Sequence, residues 1–180
     1  MRQRAPGWSL VELMAVLVLA SVLAFLAAPG LGQMIRNYRL DAAVADLYGA
    51  VDLTRTQAIA RGRRVMLVPL EPGGNNWASG WLVFVDTDGD RRPGPGEELI
   101  ASHGPVAEGI VITARFTSNK LPHYLAYGPS GRSCTDTSSM AARWGTLSFH
   151  QQGEIRHIKI NMLGRARVCR PDVEGAGCEG

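Results

Sequence analysis

The sequence predicts an α+β fold in which one long N-terminal helix packs against a β-rich C-terminal domain. Two patterns lead to this prediction. An apolar run near the N-terminus continues into a helical pattern, and seven short segments rich in β-branched and aromatic residues follow it. Segments of that kind, separated by Gly, Pro, Asn and Asp, are typical of strands. A chain of 180 residues has room for one membrane helix and one globular domain.

The apolar run, PGWSLVELMAVLVLASVLAFLAAPG at residues 6–30, carries a single carboxylate, Glu12. No charged residue lies between Leu13 and Ile35, and about 20 apolar residues suffice to cross a bilayer. An ionised carboxylate at that depth costs about 3 kcal/mol. A cleaved secretory signal would have a shorter apolar core and a small-residue cleavage site, whereas a plain membrane anchor fits the length. Neither interpretation explains Glu12.

A third interpretation gives Glu12 a role in assembly. If the chain is cut between Gly7 and Trp8, a new α-amino group lies four residues from Glu12. In an array of parallel helices, the amine of one subunit can pair with the carboxylate of its neighbour, which neutralises two charges that are costly apart. Glu12 would then fix the register of helices packed inside the membrane.

The residues around this cleavage point carry a family resemblance. Gly7, an aromatic side chain at residue 8 and then SLVELM closely resemble the class III signal of type IV pilins and secretion pseudopilins. The resemblance implies that residues 1–7 are a leader removed by a prepilin peptidase, and that the new N-terminus is methylated. Residues 8–35 would form the hydrophobic transmembrane and assembly helix. Trp8 departs from the phenylalanine usual in the family, while Pro29 stands where pilin helices commonly have a kinking proline.

Residues 36–62 continue as an amphipathic helix. Apolar side chains recur at i, i+4, i+7 and i+11, which places them on one helical face. These positions are Leu40, Val44, Leu47 and Val51. Gly62 follows as a C-cap. The favoured prediction is one continuous helix, and the alternative is two helices broken at Pro29 and Gly30, since that pair disfavours helix.

Residues 63–180 are predicted to form a β-sheet domain. The seven predicted strands are 64–70, 80–86, 97–103, 109–116, 124–128, 145–150 and 154–161. The stretches ARGRRVML, WASGWLVFVDTDGDRRPGPGEELI and GRARVC together look like the GspH/FimT group of minor pilins and pseudopilins, closest to the FimT-type minor pilins. Membership in that group implies a type IV pilin-like fold with the helix packed on the sheet.

The acidic loop DTDGDRRPGPGE has the ligand spacing of a calcium site. Asp86, Asp88, Asp90 and Glu97 fall at positions 1, 3, 5 and 12 of an EF-hand-like loop. Arg91, however, stands where that loop needs glycine, and predicted strands rather than helices flank it. Asp and Gly also favour turns for local reasons. We therefore predict a hairpin loop and no metal site.

Three cysteines, Cys134, Cys169 and Cys178, lie in the part predicted to be exported. An oxidising compartment permits disulfides, and three thiols allow three alternative single pairs. We favour Cys169–Cys178, because its short loop would otherwise fray at the terminus. The family resemblance also points to a C-terminal pair.

No pattern in the sequence indicates catalysis or a cofactor. The four histidines lack metal-ligand spacing such as HExxH, and no GxSxG motif is present. We predict that the protein is not an enzyme and needs no cofactor.

Basic side chains are concentrated between Glu154 and Arg170. This stretch contains one acid and five basic side chains, namely Arg156, Lys159, Arg165, Arg167 and Arg170. Strand alternation predicts Ile158, Ile160, Met162, Ala166 and Val168 inward, and His157, Lys159, Asn161, Arg165 and Arg167 outward. A turn at residues 162–164 is expected, since a strand through the whole stretch would be unusually long. Arg165 and Arg167 would lie about 6.6 Å apart, near the spacing of successive phosphates.

The sequence GRAR, residues 164–167, is similar to the G-R-x-R motif of FimT-type minor pilins, which bind DNA during uptake. The resemblance implies phosphate contacts from Arg165 and Arg167, supported by the charges of Lys159 and Arg170. Gly164 would let a nucleic-acid backbone come near. Such contacts position DNA without reading its sequence. The alternative is a solvated strand edge, and Asp172, Glu174 and Glu179 in the tail could partly cancel the field.

The predicted function is that of a minor pilin of a type IV pilus that binds DNA non-specifically during natural transformation. Its predicted partners are the prepilin peptidase, other pilins or pseudopilins, the inner membrane before assembly, and DNA. It would first be a single-pass inner-membrane protein with a periplasmic domain, and then part of a fibre at the cell surface. The alternatives are a minor pseudopilin at the tip of a type II secretion system and a pilus-priming subunit without DNA binding.

Overall fold

The computed structural model describes residues 9–118 and 120–178, except the side chains of residue 24 and residues 26–30. The leader and its cleavage point at Gly7 and Trp8 therefore lie outside the described residues. The helices are α1 (Leu10–Arg61) and α2 (Pro171–Glu174), with 3₁₀ turns at Trp77–Ser79 and Gly175–Cys178. The strands are β1 (Val65–Pro69), β2 (Trp81–Val85), β3 (Leu99–His103), β4 (Val111–Phe116), β5 (Leu125–Tyr127), β6 (Ser133–Cys134), β7 (Gly145–Gln151), β8 (Glu154–Ile160) and β9 (Ala166–Cys169).

Helix α1 is continuous over 52 residues, as the favoured prediction had it. Ser9 begins it, because the Ser9 hydroxyl and carbonyl oxygens accept the Glu12 N–H at 3.2 and 3.1 Å. Gly62 ends it with a φ of 61°, which confirms the predicted glycine cap. The chain divides into two compact units, Met1–Tyr38 and Arg39–Gly180. Among the described residues, no helix combines the length and apolarity needed to cross a membrane.

The second unit contains two antiparallel sheets. The first has the strand order β3-β2-β1-β5-β6, and the second has the order β4-β7-β8-β9. All seven predicted strands are present. Strand β6 has only two residues, too few to give a sequence pattern, and β9 is the part of the basic stretch that lies beyond the expected turn.

One hydrophobic core joins both sheets to the second half of α1. The predicted apolar face of the helix is buried, since Leu40, Val44, Leu47 and Val51 are all less than 5% exposed. It packs with inward side chains of the first sheet, such as Leu67 and Val83, and of the second sheet. The latter are Ile112, Leu147, Phe149, Ile158 and Ile160. The helix thus fixes which face of each sheet points outward.

Candidate functional site

The first candidate site is the beginning of α1. Glu12 lies in its first turn, and the next acid along the chain is Asp41. Large apolar side chains around it are exposed, among them Leu10, Val11, Leu13, Met14, Leu17, Val18 and Leu19. Exposed apolar surface of this extent marks an interaction site in soluble or membrane-bound proteins. The helix start therefore has both the apolar surface and the single charge that the assembly prediction requires.

The second candidate site is the outer face of the second sheet. Strand register places Arg115, Thr146, Lys159 and Arg167 side by side on β4, β7, β8 and β9. Neighbouring strands lie about 4.8 Å apart, so this row spans about 14 Å. Three of its four members are cations. The row forms because outward residues alternate with the buried Ile158 and Ile160 along β8.

A turn between β8 and β9 places Arg165 next to this row. The Asn161 side-chain oxygen accepts the Leu163 and Arg165 N–H groups at 3.0 Å each, and the Gly164 N–H donates to the Asn161 carbonyl at 2.9 Å. This confirms the predicted turn. A groove of about 580 Å³ opens there. Its lining side chains include Trp144, Thr146, Lys159, Asn161, Arg165 and Arg167. We call it the cationic groove.

The C-terminal tail, residues 170–178, occupies several of these cations. Cys169 and Cys178 form the predicted disulfide. The Lys159 ammonium donates to the Cys178 carbonyl at 2.8 Å. The Arg167 guanidinium donates to the Gly177 carbonyl and lies 3.6 Å from the Glu174 carboxylate.

The tail also provides a partner for Arg170 but, among the described residues, none for Arg165. Arg170 pairs with Asp172 at 3.6 Å. The Arg165 guanidinium forms no hydrogen bond or ion pair with another described residue. Of the four predicted phosphate-binding cations, Arg165 is thus the one that the described part of the chain leaves free for a ligand.

Comparison with known proteins shows the family to which the chain belongs. A family model described as type II transport protein GspH matches residues 43–164. The chain belongs to the GspH family. The pilin-like protein PilA1 of Thermus thermophilus is 32% identical over 165 residues, which covers 90% of this chain and 97% of PilA1. The resemblance predicted from the sequence is confirmed, and this GspH-family protein is a structural subunit rather than an enzyme.

Solved structures show the same fold. The type IV minor pilin FimU of Pseudomonas aeruginosa PAO1 matches with a TM-score of 0.57 at 18% identity, covering 76% of this chain and 92% of FimU. The minor pseudopilin EpsH of the Vibrio cholerae type 2 secretion system matches with a TM-score of 0.52 at 14% identity, covering 74% and 98% respectively. The predicted type IV pilin-like α+β fold is therefore confirmed.

Gly164 has a different role from the one predicted. Its φ is 76°, a conformation that side chains rarely adopt. A Cβ atom added there would lie 2.6 Å from the Tyr127 ring and 2.7 Å from the Ser133 nitrogen. The Tyr127 hydroxyl also donates to the Gly164 carbonyl at 2.9 Å. The prediction that Gly164 admits a nucleic-acid backbone was wrong, since the space beside it is filled by the first sheet.

Two residues that were predicted to point inward are exposed, and one of the five basic residues is buried. Met162 and Val168 are 54% and 43% exposed, because Met162 lies in the turn and β9 is the last strand of its sheet. Arg156, one of the five basic residues, is 2% exposed and pairs with Asp41 at 3.1 Å and Glu154 at 3.0 Å. Its charge serves the fold and is unavailable to a ligand.

The acidic loop brings its four carboxylates together. The ligand atoms of Asp86, Asp88, Asp90 and Glu97 lie within 4.8 Å of one another. Backbone N–H groups of the loop already donate to every one of these carboxylates, at distances from 2.6 to 3.0 Å. Arg64 lies 3.4 Å from Asp86, and burial raises the pKa of the Asp86 carboxyl. These donors give every carboxylate at least one protein partner, although the buried Asp86 Oδ2 atom accepts no hydrogen bond among the described residues and has only Arg64 nearby. The lack of a metal in the loop stays a prediction.

The remaining cysteine, Cys134, is fully buried and unpaired. Burial raises the pKa of the Cys134 thiol to about 11, so the reactive thiolate is scarce at neutral pH.

Two residues of this outer face, Trp144 and Arg115, carry no sequence motif that would mark them as site residues. Trp144 precedes a strand with no motif around it, and Arg115 is 49 residues before the start of GRAR. Only the pairing of β4 with β7, of β7 with β8 and of β8 with β9 joins them to Lys159 and Arg167. The signal that could have indicated Arg115 was its outward parity in β4, next to the buried Ile112 and Phe116.

Proposed function

We propose that this GspH-family protein is a minor pilin of a type IV pilus, assembled through its N-terminal helix. The observation that carries the proposal is the start of α1, where Glu12 stands alone among exposed apolar side chains. The 32% identity with a pilin-like protein over nearly the whole chain supports the same class.

In this proposal residues 1–7 are removed by a prepilin peptidase between Gly7 and Trp8. Before assembly, residues 8–35 hold the protein in the inner membrane with residues 36–180 in the periplasm. The new amino group at Trp8 then pairs with Glu12 of the neighbouring subunit in the growing fibre. The pair neutralises two charges that would each be costly in an apolar surrounding. Its other partners are the pilins on either side.

Replacing Glu12 tests the assembly proposal. Glu12→Ala should be processed normally and should enter sheared fibres poorly, because the neighbouring amine has lost its counter-charge. Met14→Ala, a matched change at an exposed apolar position two residues away, should enter fibres nearly as well as wild type. Immunoblots of membrane and fibre fractions measure both steps. Normal incorporation of Glu12→Ala would refute the pairing role.

A second function, non-specific DNA binding, is favoured by the cationic groove. Arg165 is free of protein partners in the described residues, and Arg167 and Lys159 line the same groove. Arg165 and Arg167 are proposed to contact phosphates, with Lys159 and Arg170 as supporting charges. Lys159, Arg167 and Arg170 keep further N–H donors beyond those that the tail occupies. Contacts of this kind are sequence-independent and supply most of non-specific binding.

A salt series tests DNA binding. With about three phosphate contacts, log K should fall with log[salt] at a slope of about −3. Arg165→Gln/Arg167→Gln should abolish most of the binding to labelled duplex DNA in fluorescence anisotropy. Arg39→Gln/Arg63→Gln, which removes the same charge from exposed positions elsewhere, should reduce it far less. Equal losses in the two double variants would show a diffuse charge effect without a groove.

The family description favours one competing function, that of a minor pseudopilin in a type II secretion system. A secretion tip subunit, like a pilus-priming subunit without a ligand, would assemble through Glu12 and bind no DNA. Absence of binding at low salt, together with loss of secretion rather than of pili in a deletion strain, would favour the pseudopilin. Loss of pili and of DNA uptake would favour the DNA-binding minor pilin.

A further inference from the structure

An exposed tryptophan stands at one end of the cationic groove. Trp144 directly precedes β7 and is 39% exposed, whereas Trp77 and Trp81 are buried. Its main chain is fixed on both sides by Thr117. The Thr117 N–H donates to the Trp144 carbonyl at 2.9 Å, and the Trp144 N–H donates to the Thr117 hydroxyl at 3.0 Å. Among the described residues, its ring stacks on no other ring.

The same groove holds the free guanidinium of Arg165. Strand β8 separates the β7 end, where Trp144 lies, from β9, so the main chains of Trp144 and Arg165 are about 10 Å apart. That distance corresponds to about three stacked nucleotides at 3.4 Å each. Lys159 and Arg167 lie between and beside them. The volume of about 580 Å³ falls within the range of about 300–1,000 Å³ that is usual for ligand sites.

An aromatic face beside a row of cations suits single-stranded nucleic acid. Every base has a π-face that can stack on a tryptophan, and the phosphates that follow can pair with arginine and lysine. In a duplex the base faces are stacked inside the helix, so a duplex can use only the cations. The indole in the same groove as Arg165 therefore adds affinity for a single strand alone.

We propose that the cationic groove binds single-stranded DNA, with a base stacked on Trp144 and the adjoining phosphates on Arg165, Arg167 and Lys159. The proposal rests on the DNA-binding function proposed above and names the form of DNA that the site takes. Stacking tolerates any base, so binding stays independent of sequence. Arg115 extends the cationic row toward β4. The bound DNA strand would therefore run across the β-strands of the sheet, along this row.

Anisotropy with matched probes tests this proposal. The full-length protein in mild nonionic detergent is titrated against a labelled single strand of mixed sequence and against the same strand annealed to its complement. We expect tighter binding of the single strand. Trp144→Ala should weaken single-strand binding by about 5- to 100-fold, the loss usual for one stacked base. The ratio of single-strand to duplex affinity should then fall toward one, and Trp144→Phe should restore most of it.

Intrinsic fluorescence gives a second measurement that does not depend on the alanine variant. The measurement is made in a Trp8→Phe background, which removes the tryptophan outside the described residues. Trp77 and Trp81 are shielded in the core, so quenching of the remaining tryptophan emission by unlabelled single strand should come from Trp144. Trp144→Phe should remove that quenching while single-strand binding persists in anisotropy. Circular dichroism of both variants checks that the fold is intact.

The outcomes separate this proposal from the one on which it rests. Equal affinity for single strand and duplex, with no change in the ratio in Trp144→Ala, overturns the stacking site and leaves DNA binding standing. Absence of binding to either probe at about 50 mM salt overturns both. Quenching that persists in Trp8→Phe/Trp144→Phe overturns the contact with Trp144.

Discussion

The two sheets differ in what lies on their outer faces. On the first sheet, Met66, Val68, Phe84 and Ala126 are completely buried in a second apolar cluster. On the second sheet, the outer face carries the row from Arg115 to Arg167 and the cationic groove. Both sheets turn their inner faces to the same core. The difference therefore arises from the segments that connect the strands, which cover one sheet and leave the other open to a ligand.

The buried Arg143, the half-buried Arg91 and one acid hold the cover on the first sheet. The Arg143 guanidinium lies 4.0 Å from the centre of the Tyr124 ring, and Arg91 lies 4.9 Å from it. Asp136 accepts a hydrogen bond from the Tyr124 hydroxyl at 2.9 Å and pairs with Arg91 at 2.5 Å. Arginine is suited to such stacked and paired positions. The same residue type thus serves structure on one sheet and is proposed to serve binding on the other.

The largest expected effect comes from truncating a side chain on the covered face. Phe84→Ala should lower the free energy of unfolding by about 3–5 kcal/mol, the usual cost of emptying a buried aromatic position. Val168→Ala on the second sheet, where the side chain is 43% exposed, should cost about 1 kcal/mol or less. Urea denaturation measures both. Equal costs would mean that the second sheet is covered as fully as the first.

The sequence predicted the strands and the core because both depend on local pattern. The helical face from Leu40 to Val51 and the seven strands follow from apolar spacing, and the disulfide follows from the short loop between its cysteines. Pairing between distant strands leaves no local pattern, so the row joining Arg115 to Arg167 could not be read from it. The alternation of inward and outward side chains also fails to predict burial in a strand that has a neighbour on one side only, as at Val168 in β9.

Gly164, in the turn between β8 and β9 of the second sheet, packs against Tyr127 and Ser133 of the first sheet. Gly164→Ala should destabilise the protein by about 2–4 kcal/mol, because it combines a positive φ with a clash against Tyr127 and Ser133. Gly153→Ala has a similar φ of 91° but open space around the new Cβ, so it should cost about 1–2 kcal/mol. Thermal or urea unfolding compares the two variants. A cost for Gly164→Ala no greater than that for Gly153→Ala would restore the idea of an open backbone there.

The disulfide fixes the tail that partly covers the open sheet. Replacing both Cys169 and Cys178 by Ser should lower the free energy of unfolding by about 2–3 kcal/mol, the chain-entropy value for a loop of about ten residues. Reductant should destabilise the wild type by a similar amount and should leave the double variant unchanged. Equal stability of the wild type with and without reductant would contradict the pairing, because Cys134 is the only cysteine that the double variant retains.

The smallest effect is expected at the acidic loop between β2 and β3. A chelator such as EDTA should shift the melting temperature by less than about 1 °C, since each of the four carboxylates already accepts a backbone hydrogen bond and Arg64 lies 3.4 Å from Asp86. Calcium at 100 times its Kd would instead add about 2.7 kcal/mol, which is about 5–10 °C for a protein of this size. Asp88→Asn/Asp90→Asn serves as the control, because it removes two exposed ligands of such a site. If calcium raised the melting temperature of the wild type but not of this variant, a bound ion would stabilise the segments that cover the first sheet. The contrast between the two faces would then rest on metal binding as well as on Arg91 and Arg143.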